Sequence, residues 1–192
     1  MPEPRSEVVD FLLTRRSRPA KTLSAPAPDA AALEPILTAA LRVPDHGKLE
    51  PWSLVVVEGA ALARLAQLAR DSAAPAGRDA EAGEKAAAMF ANAPLIVAVL
   101  STPVDSAKIP EVEQTLSAGA VCLGLVNAAL ASGWGANWLT GWPALDPGFL
   151  RAAFDLQPPG FAAGFIVLGS ETVAPPERPR PDPALKVRRL TA

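Results

Sequence analysis

The sequence predicts an α+β domain in which helices cover a small sheet. Two observations carry this expectation. Only three runs read as strands, "SLVVVEG", "PLIVAVLS" and "GFIVLGSE", and each is short and apolar. Around them, apolar residues recur mostly at helical spacing, and helices alternate with strands irregularly, with no internal repeat and no convincing domain boundary.

The elements follow in order. Ser6 stands where it can cap a first helix with Val8, Val9, Leu12 and Leu13 on one side, ending near Arg15 and Arg16. The proline-rich "SAPAPDA" is a connector. Asp29 caps a second helix carrying Leu33, Ile36, Leu37, Ala40 and Leu41 on one face. Pro35 offers no N–H to a helix interior, so this helix either kinks there or starts later. "RVPDHGKLEPW" is a loop by its Pro and Gly content, and the first strand after it is expected to be buried. Residues 60–73 and 78–92 read as helices, and the second strand follows. "EVEQTLSAGAVCLGLVNAALASG" is a long helix whose second half is almost wholly apolar, so it is expected to be buried on most sides. Gly133 and Gly135 are expected to end it. "GWGANWLTGWP" is a loop or a short extended segment, residues 146–154 form a short helix, and the third strand closes the fold. The domain spans residues 1–174. Residues 175–192 carry no core-forming pattern, which implies docking on a partner subunit.

Bulk properties exclude several classes. The 192 residues suffice for one domain with a sizeable core. Eighteen basic and twenty acidic side chains leave a net charge of -2, which argues against a nucleic-acid binder. A single cysteine, Cys122, allows no intramolecular disulfide and fits a reducing compartment. No apolar signal core opens the chain, and the longest apolar stretch falls short of the ~20 residues of a membrane span. The expectation is a soluble, cytoplasmic protein without nucleic-acid or membrane partners.

Three stretches hold candidate chemistry. "RRSR" (15–18) is either a charged helix C-terminus that needs no ligand or an anion grip; locally the two readings weigh the same. In the second, Arg15, Arg16 and Ser17 give a phosphate bidentate donors and a hydroxyl. His46 is the only histidine and has no Cys, Ser or second His at motif spacing, so metal and triad chemistry lack support. Trp134, Trp138 and Trp142 have helical spacing, yet the glycines among them oppose a helix and suit a pocket for a flat ring. Cys122, inside the apolar helix, reads as a small core residue.

Taken in this order, "RRS" after the first helix, "ALRVPDHGKLEPW", "KIPEVEQTLSAG", "AALASGWGANW" and the closing glycine-flanked strand resemble the nitroreductase family of flavoproteins, in its short single-domain bacterial branch. The resemblance implies a nitroreductase-like α+β fold: a small, mostly antiparallel central sheet flanked by helices in an interlocked homodimer, with FMN at the subunit interface. It places Arg15, Arg16 and Ser17 on the FMN phosphate, ribityl side or pyrimidine edge. It places Arg42 and His46 on FMN held mainly by the other subunit, and Trp138, Leu139, Thr140 and Gly141 along the flavin. The position of Ala128 is associated with the nicotinamide nucleotide. The implied activity is a ping-pong cycle in which NADH or NADPH gives hydride to flavin N5 and a small-molecule acceptor, a nitroaromatic or quinone, then takes it, with no catalytic side chain. A flavin carrier or sensor without turnover is the alternative, and a helical interaction protein is the reading that discards the resemblance. Two departures stand out. His46, Lys48 and Glu50 occupy a Ser-x-Asn-x-Gln position, and Trp138-Leu139-Thr140-Gly141 replaces a Pro-x-Glu-Gly pattern.

Overall fold

A computed structural model describes residues 2–191. Along them the order is α1 (Ser6–Thr14), β1 (Leu23–Ser24), α2 (Ala30–Ala40), β2 (Trp52–Val57), α3 (Ala60–Ala73), α4 (Ala80–Ala91), β3 (Leu95–Ser101), α5 (Glu111–Ala131), β4 (Gly135–Leu139), α6 (Pro147–Phe154), β5 (Phe161–Glu171) and α7 (Pro183–Lys186). β5 is the hub of the sheet. It pairs antiparallel with β3, β4 and β1, and β3 pairs antiparallel with β2 at the edge.

The pleat sends successive side chains of β3 to opposite faces. Ile96, Ala98 and Leu100 join Phe90, Phe149 and Phe165 in a core under α3, α4 and α6. Leu95, Val97 and Val99 join Ile36, Val121 and Leu125 in a second core under α2 and α5. Helices thus cover both faces, and every residue of β3 is buried. That is why this antiparallel strand reads as an unbroken apolar run instead of an alternating one. The α+β expectation holds.

Local chemistry explains most boundaries. Asp29, Asp79 and Asp146 cap α2, α4 and α6 by accepting from the N–H of Ala32, Ala82 and Phe149 at 2.9, 2.8 and 2.7 Å. Ser6 does not cap α1: it is the first helical residue, and Arg5 holds the cap position without a side-chain bond. α2 does not start late, because Asp29 nucleates it from Ala30 and Pro35 sits inside it on the exposed side. β2 is an edge strand with Ser53 and Val56 exposed, not a buried one. Gly133 ends α5 with φ +84°, but Gly135 opens β4, where it pairs with Gly169. Cys122 is fully buried, and burial pushes its thiol pKa up to about 12, which suits a core residue and not a nucleophile.

α5 is long and apolar enough to cross a membrane by length and composition, but Val121, Leu125, Val126 and Ala129 bury one face of it against the sheet. Its other face exposes Val112, Leu116 and Leu123. α1 buries nothing: Val8, Val9, Leu12 and Leu13 are 48–76% exposed. Residues 176–191 are exposed throughout, including Leu185, Val187 and Leu190.

Candidate functional site

Where α1 stops, Arg15 donates its backbone N–H to Phe11 O (2.7 Å) and the chain turns out of the helix. The turn brings Arg15, Arg16 and Ser17 together. Arg15 Nη2 donates to Ser17 Oγ (3.0 Å), and Arg16 Nη1 donates to the Ser17 carbonyl (3.2 Å). The Nε of each arginine is buried without a partner. A third guanidinium arrives from the C-terminal segment: Arg180 Nη2 approaches the Arg15 carbonyl at 3.4 Å, and its Nε pairs with Glu177 Oε1 at 2.9 Å. Burial, then the charges of Arg180 and Arg16, hold the Arg15 pKa below its usual value. Three cations against one carboxylate, with orphaned donors, form a site that an anion would relieve.

Arg18 belongs to the scaffold. Its Nε pairs with Glu171 (3.3 Å), its N–H donates to Ala136 O (2.9 Å), and Asn137 Nδ2 donates to its carbonyl (2.6 Å). These bonds stitch the arginine turn to β4 and β5. β4 then runs out at Leu139, and Gly141, with φ +103°, redirects the chain. Leu139, Thr140, Gly141 and Trp142 form one side of a cleft of about 540 Å³, and Lys85 and Met89 of α4 form the other. Trp142 Nε1 donates to Ala82 O (3.2 Å), closing one end onto α4. The walls are mostly apolar, and Lys85 is their one charged residue. A hollow lined by Lys21 and Asn92 shares Met89 with the cleft.

The three tryptophans do not converge. β4 alternates, so Leu139 faces the cleft while Trp138 turns to the other face, where its Nε1 donates to Ala163 O of β5 (3.0 Å) and its ring lies beside Gly119 of α5. Trp134 packs into the α2/α5 core. A Cβ on Gly164 would drive into the Trp138 ring and crowd Cys122 Sγ. Gly164→Ala is therefore expected to displace Trp138 and to destabilise the protein by ~1–3 kcal/mol. A thermal midpoint and a tryptophan emission spectrum unchanged from wild type would count against that packing.

Arg42 follows the C-terminus of α2 and is exposed, as is His46 in the next loop. Among the described residues, no hydrogen bond or ion pair joins either to residues 15–17 or 138–141. Ala128 packs against the α2/α5 core, on the face of the sheet away from the core that Leu139 and Trp142 cover, and so does not join the cleft. Two residues at the site escaped the sequence reading. Lys85 sits in an alanine-rich helix among glutamates, and Arg180 in a proline-rich tail, where both look like solvated surface charge.

The architecture is that of nitroreductase-like proteins. A nitroreductase-like family protein from Bacillus cereus superposes with a TM-score of 0.82 at 21% identity, over 99% of both chains. A Desulfovibrio desulfuricans protein, provisionally named a nitroreductase and solved in complex with FMN, superposes with a TM-score of 0.73 at 19% identity, over 98% of this chain and 100% of that one. YdjA of Escherichia coli (strain K12), which bears a provisional NAD(P)H nitroreductase name, is 35% identical over 164 residues, 85% of this chain and 88% of that protein. The nitroreductase family model matches residues 12–170, and the chain belongs to that family.

Proposed function

We propose that the protein is an FMN-dependent NAD(P)H oxidoreductase that works as a homodimer. The observation that carries this reading is the arginine cluster with its orphaned Nε atoms, stitched through Arg18 to the strand that opens on the apolar cleft. FMN needs such a pairing, a dianion grip and a low-polarity slot for a flat ring. Arg15, Arg16 and Ser17 hold the phosphate or the ribityl side, and Arg180 adds a third donor. Leu139, Thr140 and Gly141 line the ring, and the Lys85 ammonium at the cleft stabilises negative charge there. FMN, when bound, supplies the redox chemistry, taking hydride from NADH or NADPH and passing it to a nitroaromatic, quinone or similar small acceptor in a ping-pong cycle.

Among the described residues, Arg42 and His46 form no hydrogen bond or ion pair with these groups, and α1 and α5 expose apolar stripes. A second copy covers those stripes and brings Arg42 and His46 to the FMN of its partner, while residues 175–192 pack across the interface and Trp138 stays with Leu139 and Thr140 in the segment along the flavin. Ala128, in α5, is the position assigned to the nicotinamide side. Removing the residues after Pro175 is expected to weaken dimerisation. Light scattering checks this, and a truncated chain that stays fully dimeric at low concentration overturns it.

The protein as purified is expected to be yellow, or to become so on loading, with one FMN per chain released on denaturation. Anaerobic addition of NADH or NADPH is then expected to bleach the flavin. Protein that cannot be loaded with FMN rejects the proposal. Loaded protein that neither donor bleaches is a flavin carrier instead.

A further inference from the structure

The loop that presents His46 is fastened by the first turns of α5 and by Ile109 just before it. Ile109, Glu113 and Ser117 are spaced by four, so the latter two lie one above the other on the helix surface. Ser117 Oγ donates to Pro44 O (2.8 Å) and accepts from Trp52 Nε1 (3.0 Å), holding both ends of the loop. Ile109 packs so close to Gly47 that no Cβ would fit there. Between those anchors, Glu113 Oε2 meets His46 Nδ1 at 2.7 Å. The loop backbone is itself costly: Gly47, Lys48 and Glu50 have φ of +73°, +56° and +49°, and Asp45 Oδ2 accepts from Glu50 N (2.8 Å) to hold the bend. Strain at two non-glycine residues, two ties from α5 (Glu113 and Ser117) and the contact of Ile109 just before that helix make a rigid mount, and it carries the only histidine of the chain.

We propose that Glu113 is a positioning residue that fixes the tautomer and orientation of His46. An ionised carboxylate only accepts, so the Nδ1 of His46 carries the hydrogen that meets Glu113. Nε2, which has no hydrogen-bond partner among the described residues, is then the ring's acceptor nitrogen. By the functional reading above, on which this step rests, Nε2 is the atom offered to FMN across the dimer. An exposed ion pair contributes little stability by itself. Its effect lies in choosing which ring nitrogen is free, as a carboxylate behind the ring does for many functional histidines.

The single histidine makes the test unambiguous. In long-range ¹⁵N–¹H spectra of the wild type at pH 8, the imidazole is expected as the Nδ1–H form, without any flavin. Glu113→Ala is expected to shift it toward the Nε2–H form, and Glu113→Gln, which can still accept, to retain part of the wild-type pattern. In FMN titrations, Glu113→Ala and His46→Ala are each expected to weaken affinity about 3- to 10-fold, and the double variant no more than His46→Ala alone. A wild-type Nε2–H tautomer, an unchanged tautomer in Glu113→Ala, or effects that multiply in the double variant would overturn the assignment. Wild-type protein that takes up no FMN defeats the flavin reading, while the tautomer measurement still decides what Glu113 does.

Discussion

Arg15→Ala is expected to weaken FMN binding by ~10- to 100-fold, measured by quenching of flavin fluorescence as apoprotein is titrated at fixed ionic strength. The lost interaction is a charge-assisted hydrogen bond to phosphate, worth about 1.5–3 kcal/mol. Arg15 is the strongest of the three candidates because neighbouring cations crowd it while one of its donors has no partner. Its Nη2 is held by Ser17, its Nε is buried without a partner, and two further guanidiniums crowd it. Removing it leaves Arg16 and Arg180, so binding weakens but survives. Arg180→Ala is expected to do less, because Glu177 already shares that charge. Arg18→Ala is the control. Its guanidinium is committed to Glu171, so its loss should lower thermal stability slightly and leave FMN affinity within about twofold. Equal losses from Arg15→Ala and Arg18→Ala would mean that the turn matters only as scaffold.

Periodicity revealed the long elements because the sheet is covered on both faces. β3, α3 and α5 announce themselves by apolar pattern alone, and Asp29 and Asp146 mark helix starts by a carboxylate that accepts from backbone N–H groups. What the sequence missed, left open or misplaced has a separate local reason in each case. β1 has two residues, too few to show a period, and exists only because β5 offers it Ser170 and Glu171. β4 opens on Gly135, Ala136 and Asn137, residue types depleted in strands, and its pairing with β5 supplies what local sequence does not. Ser6 has the chemistry of a cap but lies one residue inside the helix.

The candidate site was legible in proportion to how local it is. Arg15, Arg16 and Ser17 are adjacent, and their grouping on one turn follows from sequence. Arg180 is 165 positions from Arg15, and nothing in a proline-rich tail says where it folds back. Lys85 faces Leu139 across the cleft because α4 is tied to the turn after β4 through Trp142 and Ala82, a tertiary fact. The glycines argue correctly against a helix over Trp134, Trp138 and Trp142, but a strand followed by a turn sends the three rings to different sides, so they do not line one pocket together.

Phe165→Ala is expected to cost about 3–5 kcal/mol, the range for deleting a fully buried aromatic. In a domain of this size that corresponds to a fall of ~6–20 °C in the thermal midpoint, read by circular dichroism. The site is close to worst-case for truncation. Phe165 is fully buried, with the Phe90 ring centroid at 5.3 Å in an edge arrangement and the Phe154 centroid at 6.3 Å. Phe90 in turn stacks on Phe149 at 5.7 Å, so the cavity would open in the middle of an aromatic cluster whose members already sit against helices. Phe165→Leu keeps most of the volume and should cost much less. Phe154→Ala, at the half-buried rim, should fall between the two. The consequence reaches the cleft as well. Phe165 is the β5 partner of Leu139, the last residue of β4 before the Thr140–Gly141 turn, so loosening it frees the wall that faces α4. FMN affinity should therefore drop in Phe165→Ala even where the variant is fully folded. A midpoint within 3 °C of wild type would show that the aromatic cluster is not where the sheet and the α3/α4/α6 layer are joined.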